Sequence, residues 1–473
     1  MKKAFTLLFI WLSTLPFSTA QEVNFSEDIA SIIYNKCTSC HRPGEIGPMS
    51  FTNYEEVASW AGMIQYVTEI KYMPPWKPDK EYSHFVGERG LSDEEIQLIS
   101  DWVAQGTPQG DPSLEPALPN FPSGSQLGIP DLVLEMSEAY FIEGNNQDDY
   151  RVFVLPTGLT EDKEIAAVEF RPGNTKAVHH ALMAYEVNGA AAAKAADSPG
   201  YGYEAFGGYG VPVQGNFIGY TPGISTIRFP TGIGTTLPAG ADLLLQVHYA
   251  PLPIDATDQS LVNIFFKEAD DPITREIERM PATPFDLVGG FLSFRIPPNE
   301  VTTFEGVKDI EEDISLLSIY PHCHYLGQSW EIFAVPPVGD TINVIRIKEW
   351  DFNWQGAYTV DRLKKIPAGS KLHINATYDN TSNNPFNPSN PPQLSTWGEA
   401  TTEEMYLVGI NYIPYQDGDE NILIGDNITT NTEEVSQQSL NRLEAPFPNP
   451  SNGSVAVTYF LENQQYLNME IFD

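Results

Sequence analysis

What this chain has little of bounds its chemistry before any motif does. Its 473 residues include three cysteines, Cys37, Cys40 and Cys323. An exported chain is free to build disulfides, and this one has almost none to make. Basic residues are few: 26 Lys and Arg against 63 Asp and Glu, a net charge of −37. That balance argues against nucleic acid, because phosphate backbones are bound through Lys and Arg. It argues equally against an anionic membrane surface, and its plain meaning is solubility. Beyond the first twenty residues no run is long and apolar enough to span a bilayer, so no transmembrane segment is expected in the mature chain. Histidine is scarce too, eight in all, which makes its placement informative.

The first twenty residues read as a secretory signal peptide: Lys2 and Lys3, an apolar stretch from Ala4 to Phe17, then small Ser18, Thr19 and Ala20. Export to the periplasm or beyond follows. Cys37-Thr38-Ser39-Cys40-His41 then spells C-x-x-C-H. Two thiols at that spacing bond haem vinyl groups while the histidine ligates iron, which predicts one covalent haem c. A disulfide or another metal is the alternative. Met73, in the rigid Met73-Pro74-Pro75-Trp76, is the favoured sixth ligand, with Met49 and Met63 as rivals; Met63 lies in an amphipathic pattern and reads as core. Ser92 opens a helix whose Ile96, Ile99, Trp102 and Val103 share a face. The stretch 21–107 resembles the small all-α cytochrome c domain.

Residues 108–130 are a Pro-rich linker. Beyond them the period changes to alternation, in Tyr150 to Leu155, Leu243 to Tyr249, Ile314 to Ile319, Ile342 to Ile347, Leu372 to Tyr378 and Met405 to Ile413. Such short strands between Gly/Pro turns predict two antiparallel β-sandwiches of the jelly-roll kind, 131–275 and 276–416. A polar linker, 417–442, and a last segment, 443–473, complete the organisation.

Five of the seven histidines outside the haem motif cluster in these strands: His179-His180, His248, and His322-x-His324. Residues i and i+2 of a strand point to one face, so His322 and His324 can reach one metal with Cys323 turned away; two polar residues on a solvent face is the alternative. Gln246 and His248 share a face by the same rule. Adjacent His179 and His180 can meet one metal only where the strand bulges. Two histidines need a third ligand, and a methionine would favour Cu(I). Met405, after Glu403-Glu404, offers one, with a core methionine as the alternative.

Val178-His179-His180-Ala181-Leu182, Gln246-Val247-His248-Tyr249, His322-Cys323-His324-Tyr325-Leu326-Gly327 and Glu403-Glu404-Met405 resemble, in order, the motifs of the copper type II, ascorbate-dependent monooxygenases, the family of dopamine β-monooxygenase and peptidylglycine α-hydroxylating monooxygenase. The resemblance spans roughly 131–416. It implies two copper ions across a solvent-filled cleft: an electron-transfer copper on His179, His180 and His248, and an oxygen-activating copper on His322, His324 and Met405, with Gln246 matching a family glutamine. The implied reaction is hydroxylation of a C–H bond of a small organic substrate by O2. Its electron donor is ascorbate or a redox protein, and the haem is a second source. Tyr320 stands where the peptide-amidating enzymes have an arginine, and Leu407 and Gly409 where they have Asn and Tyr, so the clamp for a peptide terminus is missing. A non-enzymatic copper and haem electron carrier, or copper-binding surface protein, is the alternative. From Leu443, Pro446-Phe447-Pro448-Asn449-Pro450 resembles the start of a type IX secretion sorting domain, which implies the cell surface or beyond.

Overall fold

The computed structural model describes residues 22–425 apart from 122, 123, 207, 218, 223–225 and 399, and beyond them only a strand pair, Arg442–Leu443 with Tyr459–Phe460. The expected signal peptide and nearly all of the expected sorting segment lie outside the described residues. Among the described residues no helix is long and apolar enough to cross a membrane. Strands in several sheets dominate, and helices are few.

Two five-stranded sheets make the first sandwich. One runs in the order Leu132–Glu135, Leu261–Phe266, Lys163–Arg171, Ile233–Leu237, Arg275–Glu276; the other runs Tyr203–Glu204, Asp149–Pro156, Asp242–Tyr249, Val178–Glu186, Gly215–Asn216. Leu134, Ile165, Val262 and Ile264 of the first meet Phe153, Met183, Leu245 and Val247 of the second in one core. The strand Asp242–Tyr249 shows why the pattern is legible. Leu243, Leu245, Val247 and Tyr249 enter that core, while Gln246 and His248 take the other face.

The second sandwich pairs two four-stranded sheets. Glu278–Ala282, Leu407–Pro414, Ile314–His322 and Tyr358–Ile366 form one, and Val301–Asp309, Lys371–Asp379, Gly327–Val335 and Ile342–Ile347 the other. Its core also takes in Ile227, Phe229 and Ile233 of the first sandwich, so apolar contact runs from one sandwich into the next. The expected boundary at 275/276 falls inside the strand Arg275–Glu276 of the first sandwich, and the second begins with Glu278–Ala282. The expected linker from 417 does not begin there. Asp419 is 2% exposed, binds Arg275 at 2.6 Å and accepts from Ser315, and Ile424 enters the core. A polar string reads as solvated, but its one buried charge is matched by a cation 144 residues away.

Residues 25–104 carry four α-helices, Ala30–Lys36, Tyr54–Ser59, Ala61–Glu69 and Asp93–Ala104, around their own core of Phe25, Ile29, Ile33, Val57, Ile99 and Trp102. The last helix starts where expected: Ser92 accepts from the Glu95 amide and Glu95 accepts from the Ser92 amide, a capping box. The start of the expected linker folds back onto this region. Pro108 takes the Trp102 indole and the Phe25 amide, and Tyr34 bonds Glu115. The helices do not stand apart from the sandwiches but belong to the same compact unit. The segment 74–90 docks them on the second sandwich. Phe85 enters its core, Asp79 ion-pairs with Arg346 and Lys348 at 2.6 and 2.7 Å, and the Val86 amide donates to Thr359.

Candidate metal centres

The strand Val178–Glu186 carries a register shift against Asp242–Tyr249 between Val178 and His180, and His180 then pairs directly with His248. This irregularity is what two adjacent histidines need to turn the same way. Their Nδ1 atoms converge: His179 to His180 3.3 Å, His179 to His248 3.2 Å, His180 to His248 3.3 Å. Nitrogens bound at about 2.0–2.1 Å around a tetrahedral ion sit roughly 3.3 Å apart, so the three are spaced as the ligands of one metal. Among the described residues they are the group of three or more His, Cys, Asp or Glu that can hold one. Burial, reinforced by neighbouring His248, lowers His179 to about 4 and holds His180 well below its usual value, which keeps their imidazoles neutral as ligation requires. His248 is oriented from behind: its Nε2 lies 2.6 Å from Asp148 and its ring stacks on Tyr150 at 4.1 Å. A carboxylate on the far nitrogen fixes the tautomer that offers Nδ1 to a metal. Gln246 is one step removed. Its amide donates to the carbonyls of Ala205 and Gly208, so it pins a backbone segment beside the site.

His322 ends the strand Ile314–His322, and His324 lies in the turn that follows, with ring centroids 5.2 Å apart. Cys323 turns into the core as expected, 1% exposed, accepting from the Trp330 indole at 3.3 Å. Gly327 is obligatory behind it, since a Cβ there would stand 2.2 Å from the Cys323 sulfur. Here Nδ1 is the anchored nitrogen. His322 Nδ1 meets Gln355 Oε1, whose own amide donates to Phe352, and His324 Nδ1 donates to the Glu403 carbonyl at 3.1 Å. Both rings therefore keep Nε2 for a metal. Burial lowers His322 to about 3 and His324 to about 4. Met405 is half-buried and stands outside the core cluster that takes its neighbour Tyr406. One side chain unites this set: the buried Glu404 carboxyl accepts the amides of His324, Leu326 and Met405 at 2.8, 2.7 and 3.1 Å. Burial lifts that carboxyl to about 8 against the pull of those amides.

One aromatic side chain lies near both histidine groups. Phe352 is 6.0 Å from the His179 ring and 5.7 Å from the His324 ring. Those two imidazoles therefore lie no farther apart than the two separations together, 11.7 Å. Asp148, Phe352, Gln355 and the anchoring role of Glu404 escape sequence reading, because each meets its histidine through the fold rather than through spacing.

Cys37 and Cys40 are free thiols in the turn after the first helix, and His41 donates Nδ1–H to the Met49 carbonyl at 3.1 Å while stacking on Phe51 at 4.6 Å. This leaves Nε2 free to meet a metal. Gly47 makes room, since a Cβ there would come 2.7 Å from His41 Nδ1. Met49 packs against the helical core. Met63 corrects the expectation of a core residue: it is 52% exposed. The helix Ala61–Glu69 buries Ala61, Ile64 and Thr68, and Met63 falls on another face. Trp60, Met63, Tyr66 and Ile70, spaced three and four apart, and then Tyr72, are all exposed. Helical periodicity cannot say which of two apolar faces is the inner one.

No family model matches this chain, and no curated protein matches it. Among solved structures it is similar to the VP2 subviral particle of infectious bursal disease virus, at 10% identity over 65% of this chain and 86% of that one, with a TM-score of 0.14. It is also similar to an oxalate decarboxylase of Bacillus subtilis, at 8% identity over 63% and 80%, again with a TM-score of 0.14. Likenesses at that score say nothing about this chain's fold or chemistry.

Proposed function

We propose that this chain is an exported haem- and copper-containing monooxygenase that hydroxylates a C–H bond of a small organic molecule with O2. The observation that carries the reading is the convergence of three Nδ1 atoms at 3.2–3.3 Å in one histidine group, one aromatic ring away from a second. His179, His180 and His248 would hold one copper, and His322, His324 and Met405 the other. Cys37 and Cys40 would bond a haem, with His41 on its iron and Met73 as sixth ligand. When bound, copper supplies one-electron steps and oxygen activation, and a c-type haem supplies an electron relay.

The chain's own residues have separate tasks. Asp148 and Tyr150 orient His248, and Gln355 and Glu403 fix the tautomers of His322 and His324. Glu404 ties the His324 turn to Met405. The exposed apolar face from Trp60 to Tyr72 is of the kind a porphyrin plane covers. Ascorbate or a redox protein is the outside donor. The sequence of residues 1–20 and of the segment from Leu443 supports export, by type IX-like sorting, to the surface.

Metal and haem content of the purified full chain tests this. One haem and two coppers are expected, falling to one copper in His322→Ala and in Met405→Ala. Haem without copper, or copper indifferent to both changes, overturns the enzyme reading. An electron carrier that never turns over is the second reading, and Phe352 favours it by setting an aromatic ring within 6.0 Å of a histidine of each group. No reductant-driven O2 uptake with any small-molecule substrate offered, from a chain that holds one haem and two coppers, would select the carrier.

A further inference from the structure

One cavity lies where the segment 74–90 meets both sandwiches, lined by Pro75, Trp76, Arg89, Gln355, Ala357 and Tyr358 among others. Its free volume of about 40 Å³ is room for several waters or for a molecule of a few heavy atoms. Two buried donors have no acceptor among the described residues, the Nε1 of Trp76 and the Nε of Arg89. They belong to one place. A Cβ on Gly90, the residue after Arg89, would stand 3.5 Å from Trp76 Cδ1, the carbon bonded to that Nε1. The guanidinium carbon lies 5.6 Å from the Trp76 ring centroid. The Nη2 of Arg89 makes one long bond, to the Pro75 carbonyl at 3.4 Å. No carboxylate lines the cavity.

These groups define a ligand. A buried cation with no anion beside it is costly, and a chain with 63 Asp and Glu lines this cavity with none of them. In the planar guanidinium Nε and Nη2 share one edge, the kind of edge that takes both oxygens of a carboxylate. The indole N–H adds a further donor. The apolar surfaces of Pro75, Val86, Ala357 and Tyr358 suit a short hydrocarbon tail. We propose that this cavity is a binding site for a small monocarboxylic acid, of formate to propionate size, with Arg89 as its cation and the Trp76 indole as a second anchor. The site needs neither haem nor copper, so it stands or falls apart from the reading above. It borders that reading at one point. Gln355 lines the cavity and its Oε1 meets His322 Nδ1, so an acid seated here lies beside the residue that orients His322.

Calorimetric titration of the full chain with acetate tests this, with acetamide as the uncharged match and chloride and phosphate as other anions. Wild type is compared with Arg89→Gln, Arg89→Lys, Trp76→Phe and Ala357→Leu, and thermal melting checks that each is folded. Wild type should bind acetate, and acetamide about tenfold or more weakly, because a hydrogen bond to a charged group is worth roughly 10–100-fold in binding. Arg89→Gln should lose at least that factor. Arg89→Lys should restore part of it, since it keeps the charge but not the fork. Trp76→Phe should weaken binding by less, and Ala357→Leu should block it by filling the space. Should Arg89→Gln fail to fold, Trp76→Phe and Ala357→Leu decide. Acetate that does not bind wild type overturns the inference, which is the result expected if a carboxylate the chain already carries holds Arg89. Acetate bound equally by every variant sits elsewhere and overturns it too. Chloride or phosphate bound more tightly than acetate overturns the class of ligand.

Discussion

The two histidine groups face each other with opposite ring nitrogens. In His179, His180 and His248 the Nδ1 atoms point inward, and the Nε2 of His248 is held from outside by Asp148. In His322 and His324 the Nδ1 atoms are the tethered ones, and Nε2 is left free. Nδ1 sits close to its own backbone, so a metal bound through it rides on the sheet, and strand pairing fixes its ligands. Nε2 reaches farther out, from His322 at the last rung of its strand, paired with Leu407, and from His324 in the turn beyond the ladder. The second group compensates with buried polar anchors, Glu404 above all. One centre is thus supported by a sheet and the other by side chains, and the two should break differently.

Glu404→Ala should give the largest effect. It strands three amides, at least two of them in buried surroundings, and the expected loss is roughly 3 kcal/mol or more of stability. Copper should leave the His322 group while the three-histidine group keeps its own. Chemical denaturation and copper counting check both parts, and equal loss from the two groups would contradict the division of support.

Asp148→Ala tests the sheet-supported group. Removing a carboxylate behind a ligating histidine typically costs 10–100-fold in metal affinity, about 1.4–2.8 kcal/mol. Chelator competition should register that loss for one of the two coppers, with melting hardly changed, because Asp148 is partly exposed.

A third effect lies outside both centres, where the helices dock. Burial alone would raise the Asp79 carboxyl, but its bonds to Lys348 and Arg346 bring it down to about 2. A folded value below the unfolded one stabilises above the unfolded value, and the contribution fades as pH falls through the folded one. Wild type should therefore lose on the order of 1–2 kcal/mol between about pH 4 and pH 2 relative to Asp79→Asn. Parallel pH–stability profiles for the two proteins would sink this.

The same contrast governs what could be read from sequence. Alternation along Leu243–Tyr249 and the i, i+2 pair at His322 and His324 are local, so the strands and five histidines were legible, as was the bulge that adjacent histidines demand. The capping box at Ser92 is equally local. Glu404, Gln355 and Asp148 meet their histidines across 80, 33 and 100 residues, where no periodicity survives. Met63 misled because its helix is apolar on two faces. Sheet support leaves a trace in sequence, whereas support by distant side chains leaves none.

Phe352→Leu should give the smallest effect and the sharpest test of how the two groups are held in relation to each other. The ring is 8% exposed and touches both of them. Trimming the ring to a smaller apolar side chain that still fills most of its space costs on the order of 1 kcal/mol. The spacing of the groups should not depend on it, because Ile227, Phe229 and Ile233 of the first sandwich are packed into the core of the second and hold the sandwiches together. The copper–copper distance by pulsed electron paramagnetic resonance should then match wild type. Leucine leaves room beside His324 that the flat ring fills, so a chelator should strip copper from the His322 group faster. A shifted distance would mean that the ring, not the shared core, sets the gap.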